Sequence, residues 1–329
     1  MKLFISNSND PFLNLAMENQ LLEKSEQSSH LFIWCNRPSV ILGRFQNPWL
    51  ECDLHYLTKN NILLARRQSG GGCVFHDQGN LNFSFMGPKL GLQHQINKAD
   101  HFQLMLRMLE SFDIKAEINQ RNDIVIGGHK VSGSAFKNKR LSAFHHLTLL
   151  VESNQKLLVK SLNSPFKSGF SKAVRSKKSA TINLASINSQ LTVAKILFWF
   201  KNEFKHACQD VTPESQVLSE QYYSDIRSNL WIYGETPLFN MSADPWTLSF
   251  NKGQLVEIST QATDIPNNLT LELNQSLKGV NLWITEMEKK FLIDEKIQLI
   301  ETQFNYCLDP LKNLFKTLIT FVPVRENNL

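Results

Sequence analysis

The chain has 329 residues, 42% hydrophobic and 20% charged, an ordinary balance for a soluble globular protein and a length that reads as two domains. No apolar stretch is long enough to span a bilayer, and the start MKLFISNSND turns polar too soon for a signal peptide, so membrane and export roles are set aside and a cytoplasmic setting is expected. The five cysteines (Cys35, Cys52, Cys73, Cys208, Cys307) are scattered without a CxxC pair, which argues against a disulfide framework or a zinc knuckle.

The net charge of +5 is uneven: +7 over residues 1–245 (27 Lys+Arg, 20 Asp+Glu) and −2 over residues 246–329 (8 and 10). A mildly basic first part suits anions such as nucleotides, or an acidic protein partner.

In chain order, Asp10-Pro11 reads as an N-cap with proline at the first helical position, followed by Phe12, Leu15, Ala16, Asn19 and Leu22 at helical spacing. Leu31–Trp34 and Val40–Leu42 are apolar runs separated by Asn36, Arg37 and Pro38, a pattern that predicts a hairpin. Ile62–Ala65 reads as a buried strand, with Leu81–Met86 as its expected partner. Phe102, Leu104, Met105, Met108 and Leu109 predict an amphipathic helix over 98–112. Strands are expected at Ile124–Ile126, Val131–Phe136 and His146–Val151, and a helix over 192–206. Beyond residue 240 the reading is strands at Trp246–Phe250, Leu255–Ser259 and Leu269–Leu273, then helices near Val280–Lys290 and Asp294–Tyr306. The expected organisation is a domain over 1–240 and a small α+β domain over 246–329.

Four segments carry chemistry. Arg66-Arg67-Gln68-Ser69-Gly70-Gly71-Gly72-Cys73-Val74-Phe75-His76-Asp77 follows an apolar strand with three glycines. Glycine admits positive φ, and successive exposed N–H groups make a concave anion site. A bare glycine triplet is equally a flexible hairpin turn, but the preceding arginines and the immediate return to strand-like sequence favour a ligand loop. It is not a P-loop, because no Gly-Lys-Ser/Thr follows. Lys130-Val131-Ser132-Gly133-Ser134-Ala135, downstream of Arg121-Asn122-Asp123, sets an ammonium at the start of a strand of small residues. Gly43-Arg44-Phe45-Gln46-Asn47-Pro48-Trp49 reads as a loop. His145 and His146 must point to opposite faces of a strand, which argues against a shared metal. Composition and spacing alone reach an anion-binding α/β enzyme.

In combination, DPFLNLAMEN (10–19), GRFQNPWLEC (43–52), ARRQSGGGCVFHDQGN (65–80), RNDIV (121–125), KVSGSAF (130–136) and FHHLTLL (144–150) resemble the lipoate–protein ligase A family in order and spacing. Val174-Arg175-Ser176 resembles that family's adenylate loop. The resemblance implies an α+β fold with the mixed sheet of biotin and lipoate ligases, related to class II synthetase cores, plus a small C-terminal α+β domain. It implies ATP and Mg²⁺ as cofactors, a lipoyl-AMP intermediate, and transfer to a lysine of apo lipoyl domains of 2-oxoacid dehydrogenase complexes or of glycine-cleavage H protein. A monomer without nucleic-acid or membrane partners is expected.

Residue by residue, Lys130 would be catalytic. Arg67, Gly72, Cys73, Val74, Phe75 and Lys130 would bind ATP. Leu15, Trp34, Val74, His76, Lys130 and His146 would bind lipoate. Val174, Arg175 and Ser176 would form the adenylate loop, and Asp123 is a candidate Mg²⁺ ligand. The basic run Lys167–Lys178, within a stretch from Glu152 to Glu203 that holds no acid between them, would be a lid that meets an acidic acceptor. Gln68, where many relatives carry Ser, and Leu147, where glycine is usual, would reshape the acyl slot. Two rivals stand beside this reading. One is an ATP-independent octanoyl or lipoyl transferase, whose cysteine thioester has only Cys73 near the acyl site. The other is a non-enzymatic reader using the same pocket, for which the expected start of the catalytic domain leaves no N-terminal helix-turn-helix.

Overall fold

The computed structural model describes residues 1–89, 97–166, 169–212, 220–284 and 286–318. The helix Pro11–Lys24 begins as its sequence requires. Asp10 Oδ1 accepts from the N–H groups of Phe12 (2.8 Å) and Leu13 (3.1 Å), and Pro11 occupies the first turn, where its missing donor costs nothing. The helix Lys98–Glu110 buries Phe102, Leu104, Met105, Met108 and Leu109, all five residues of its apolar stripe. Thr192 caps Val193–Glu203 by accepting from Lys195 N–H.

Contacts divide the chain into two units interleaved in sequence: Met1–Arg44, Leu57–Leu162 and Ser176–Ser228 form one, and Phe45–Tyr56, Asn163–Arg175 and Asn229–Leu329 the other. The last run of the second unit thus starts ahead of the 240–246 boundary read from the sequence.

The first unit is built on a six-stranded mixed sheet in the order 134–138, 142–150, 80–88, 30–35, 2–6, 208–211. Strand Lys2–Ser6 runs parallel to both neighbours, and the other pairs are antiparallel. Side chains alternate across it. Leu31, Ile33, Phe83, Phe85, Leu147 and Leu149 face a core completed by Phe102, Met105, Met108, Ile196 and Phe200 of the two amphipathic helices. On the other face, Trp34, Ser84 and His146 share a hydrogen-bonded network with Glu18 of the helix Pro11–Lys24. A separate three-stranded sheet, 63–66, 39–42, 74–76, holds the glycine turn, and a third, 117–118, 124–126, 129–132, holds Lys130.

Several expectations change here. Leu31–Trp34 and Val40–Leu42 do not form a hairpin: they belong to different sheets. The link between them is pinned, with the Asn14 amide donating to Asn36 Oδ1 (2.9 Å) and Arg37 N–H to Asn9 O (2.8 Å). Leu81–Met86 lies in Asn80–Pro88, which pairs with 30–35 and 142–150 rather than with Leu63–Arg66. The run Val131–Phe136 breaks at Gly133 into two strands that join two sheets.

The second unit contains the antiparallel sheet Phe239–Ala243, Trp246–Asn251, Gln254–Thr260. Buried Trp49, near the cap of Pro48–Glu51, stacks on Phe239 at 5.7 Å, and Ser164 Oγ donates to Trp49 O (2.6 Å), which ties both early segments to this sheet. The expected strand Leu269–Leu273 is helix, Asn267–Leu277. Its alternating leucines imitate a strand, but Leu269, Leu273 and Leu277 are buried four apart while Leu271 is 59% exposed. The helix expected from Val280 begins only at Glu286. Among the described residues no helix is long and apolar enough to cross a membrane.

Three imidazoles, those of buried His76 and His145 and of half-buried His101, set an acid limit on this fold. His145 and His101 lie with Nδ1 atoms 3.3 Å apart in a stack with Phe85 and Phe136, and burial pushes them down to about 2 and about 4. Burial likewise pushes His76 to about 3, helped by Arg67 nearby. These folded values lie below the ordinary 6.5, so stability is full above pH 6.5 and falls as the unfolded chain takes up protons that the fold excludes. At pH 5.5, about one unit below the ordinary value, each imidazole costs on the order of 1 kcal/mol, together a few kcal/mol. Thermal unfolding should therefore move sharply lower between pH 6.5 and 5, and a melting temperature flat over that range would contradict it.

Candidate active site

The glycine turn is organised by Arg67. Its guanidinium, 5% exposed, donates to Ser69 Oγ (2.9 Å), Ile41 O (3.1 Å), Gly70 O (2.6 Å) and Gly72 O (2.8 Å). Burial pulls it down to about 10, partly offset by Cys73 and Glu18. Expected as a direct phosphate contact, Arg67 instead clasps the carbonyl side of the turn. A turn held by its carbonyls is the arrangement in which backbone N–H groups can face an anion; here Cys73 N–H donates to Ser176 Oγ (2.8 Å). Gly71 has φ +87°, a conformation natural to glycine. Gly43 is equally constrained: a Cβ there would lie 2.2 Å from Gly71 O.

Lys130 sits on the strand His129–Ser132, where its N–H donates to Ala180 O (2.9 Å) and its carbonyl accepts from Ile182 N–H (3.1 Å). Its ammonium, 27% exposed, is 2.8 Å from Asp123 Oδ1. Gly133 leaves room for the amine, since a Cβ there would lie 2.8 Å from Nζ. The turn and this segment meet directly: a Cβ on Gly71 would be 3.4 Å from Ala135 Cβ, and Cys73 N–H donates to Ser176 Oγ (2.8 Å), four residues before Ala180. Gly71, Cys73, the Lys130–Ala135 strand region and Ser176 thus converge within the first unit.

Asp123 does not fit as an open Mg²⁺ ligand. One oxygen holds Lys130, and the other faces the Asn119 amide (3.3 Å) and Arg121 Nε (3.6 Å), so a divalent cation there would meet cationic and donor groups. Its carboxylate is the counter-ion of Lys130. Among the described residues the one cluster of three potential metal-binding groups, Glu301, Cys307 and Asp309, belongs to the second unit.

Of the expected acyl-slot residues, Trp34 and His146 lie on the Ser84 face of the main sheet, Leu15 on the helix Pro11–Lys24, Val74 and His76 on the strand after the glycine turn, and Lys130 on the third sheet. Leu15 and Trp34 are buried, and Trp34 meets His76 edge to face at 5.7 Å. His76 Nδ1 is 3.1 Å from the Asn36 amide, which donates to it in the neutral ring. Phe75 is buried and Val74 half-buried. The histidine pair divides as alternation requires: His145 enters the core, and His146 lies 2.9 Å from both Glu18 Oε1 and Ser69 Oγ. Leu147 also faces the core, so it does not shape the slot. The Lys137 ammonium donates to Gln68, and burial lowers it to about 8.

Ser176 reaches the turn, whereas Val174 and Arg175 belong to the second unit, where Val174 N–H donates to Phe45 O (3.0 Å) and Arg175 Nε lies 3.3 Å from Glu51. Lys167 and Ser168 of the expected lid lie outside the described residues. Glu18, Ser69, Asn36 and Ser84 were not singled out by the sequence. The available signal for Glu18 was its place three residues after Leu15 on the buried stripe of its helix.

A clasped glycine turn beside an ion-paired lysine, in front of a mixed sheet, defines an α+β protein with a site suited to anions. The family model described as the lipoyl protein ligase A/B catalytic domain matches residues 10–205. The chain belongs to this family. It is 35% identical to the lipoate-protein ligase A of Psychrobacter cryohalolentis over 256 residues, covering 73% of this chain and 74% of that one. The fold is similar to the crystal structure of P. falciparum LipL1 in complex with lipoate, with TM-score 0.63, 25% identity, and coverage of 97% and 99%. It is also similar to a lipoate-protein ligase A bound with ATP, with TM-score 0.56, 22% identity, and coverage of 70% and 97%.

Proposed function

We propose that this protein activates lipoate with ATP, forming lipoyl-AMP and pyrophosphate. It then transfers the lipoyl group to the ε-amine of a lysine on apo lipoyl domains or on glycine-cleavage H protein. The observation that carries this reading is the meeting of the Gly70–Cys73 turn with the Lys130 segment and Ser176.

Attack of a carboxylate on the α-phosphate joins two anions, so fixed positive charge and N–H donors must offset their repulsion. At an effective dielectric near 20, opposite charges about 4 Å apart attract by roughly 4 kcal/mol. Lys130 supplies that charge between the acyl carbonyl and the phosphate, acting electrostatically rather than as a nucleophile. Gly72, Cys73, Val74 and Phe75 contribute backbone donors and walls to the nucleotide site, with Arg67 holding the turn. Leu15, Trp34, Val74, His76 and His146 line the slot for the acyl tail. Ser176 and its basic neighbours Lys177 and Lys178 close on the adenylate and meet an acidic acceptor surface. The first unit is the catalytic one and the second an accessory.

Lipoate-dependent exchange of labelled pyrophosphate into ATP tests the first step, and its absence would overturn this reading. The thioester alternative makes a separate demand on Cys73, the cysteine in the turn. Cys73→Ser retains the N–H that donates to Ser176, so ligation is expected to stay within about threefold of wild type, whereas removing an obligatory nucleophile costs many orders more. Loss of acyl transfer in Cys73→Ser would favour the thioester route.

A further inference from the structure

Glu18 and Arg67 are both buried charges, 1% and 5% exposed, yet among the described residues no carboxylate forms an ion pair with Arg67 directly. Buried charges need compensation. Here they are joined through two intermediaries. Arg67 Nε donates to Ser69 Oγ (2.9 Å), Ser69 Oγ lies 2.9 Å from His146 Nε2, and His146 Nδ1 lies 2.9 Å from Glu18 Oε1. On the far side Trp34 Nε1 donates to Ser84 Oγ (3.1 Å), which donates to the same Glu18 oxygen (2.5 Å).

The direction of this chain is forced by its ends. A guanidinium only donates and a carboxylate only accepts. With a neutral imidazole, Ser69 therefore accepts from Arg67 and donates to His146, which donates its Nδ1–H to Glu18. Each member fixes the rotamer of the next, and the last held is Arg67, whose remaining donors grip Gly70 and Gly72.

We propose that Glu18 and His146 are positioning residues for the glycine turn, acting through Ser69 and Arg67 to hold Gly70 and Gly72 in the shape that receives the nucleotide. This assignment rests on the turn being the nucleotide site. It gives His146 a second task beside lining the acyl slot: the side chain that touches the acid also braces the loop that touches ATP.

The test compares Ser69→Ala, Glu18→Ala and Glu18→Gln with wild type. In ligand-free protein, amide hydrogen exchange across residues 70–74 should rise about tenfold in Ser69→Ala and Glu18→Ala, as expected when a charge-assisted bond is lost. In turnover, KM for ATP should rise about fivefold to tenfold while kcat stays within about twofold. Glu18→Gln keeps an oxygen for both donors but not the charge, and should fall between wild type and Glu18→Ala in both readouts. Ser69→Ala removes a single oxygen and serves if Glu18→Ala does not fold. Unchanged exchange in the turn, or a rise in KM for the acid alone, would overturn the proposal. Faster exchange with unaltered KM for ATP would overturn its nucleotide half. Failure of the wild-type protein to bind ATP would instead strike the underlying reading, and the ligand-free exchange measurement is independent of it.

Discussion

Lys130→Ala is expected to slow lipoyl-adenylate formation by roughly 10²–10³, the loss typical of removing a main donor to a developing oxyanion. The geometry specifies why no neighbour replaces it. Arg67 is spent on the turn carbonyls, and Arg121 faces the side of Asp123 away from Lys130. The substitution also leaves Asp123, 5% exposed, with only Arg121 Nε at 3.6 Å, so a less compensated negative charge remains where the substrates bring more. Affinity for neutral acyl analogues should change little, because the slot is lined from other elements. Single-turnover formation of AMP and lipoyl-adenylate is the measurement, with the melting temperature as control. A variant that forms adenylate within tenfold of wild type would remove Lys130 from its role.

Gly43→Ala is expected to lower kcat/KM for ATP by about tenfold to a hundredfold. The added Cβ would stand 2.2 Å from Gly71 O and 3.1 Å from Gly71 C, both backbone atoms. Relief requires moving the turn itself, which is held to Gly43–Arg44 by Arg44 N–H donating to Ser69 O (2.8 Å) and to Arg67 by its two carbonyls. Overpacking of this kind costs about 1–3 kcal/mol, and 1.4 kcal/mol is tenfold in rate or affinity. The contrast is Gly70→Ala, whose Cβ meets nothing within 4 Å and should be tolerated. If Gly43→Ala turned over ATP as wild type, the turn would not be the nucleotide site.

The parts of the fold written in local chemistry were legible before any coordinates. The Asp10 cap with Pro11, the stripe Phe102–Leu109 and the alternation that separates His145 from His146 all depend on neighbours within a few residues. Strand pairing was not. Val40–Leu42 and Leu81–Met86 are evidently strands, but which sheet each joins depends on contacts distant in sequence. In Asn267–Leu277 a period-two run of leucines sat inside a helix, and it is the exposure of Leu271 between buried Leu269 and Leu273 that separates the two readings. The site shows the same division. The glycine triplet and Lys130 were legible only together with the neighbouring matched segments, since alone the first is also a hairpin turn and the second also a surface strand lysine. Arg67 and Asp123 were visible as charges, but the groups they face were not, and it is those groups that make Arg67 a clasp and Asp123 a counter-ion.

In the proposed reaction the turn and the Lys130 ammonium together join an acid to a nucleotide, and the acyl group then passes to a protein. Incubating the protein with radiolabelled lipoate, an apo lipoyl domain, and either ATP or an analogue whose α–β phosphate bridge cannot be cleaved is the test. Label on the domain's target lysine with ATP alone, with AMP released in equal amount, is the predicted result. Equal labelling with the analogue, or label that appears first as a thioester on the enzyme, would contradict it.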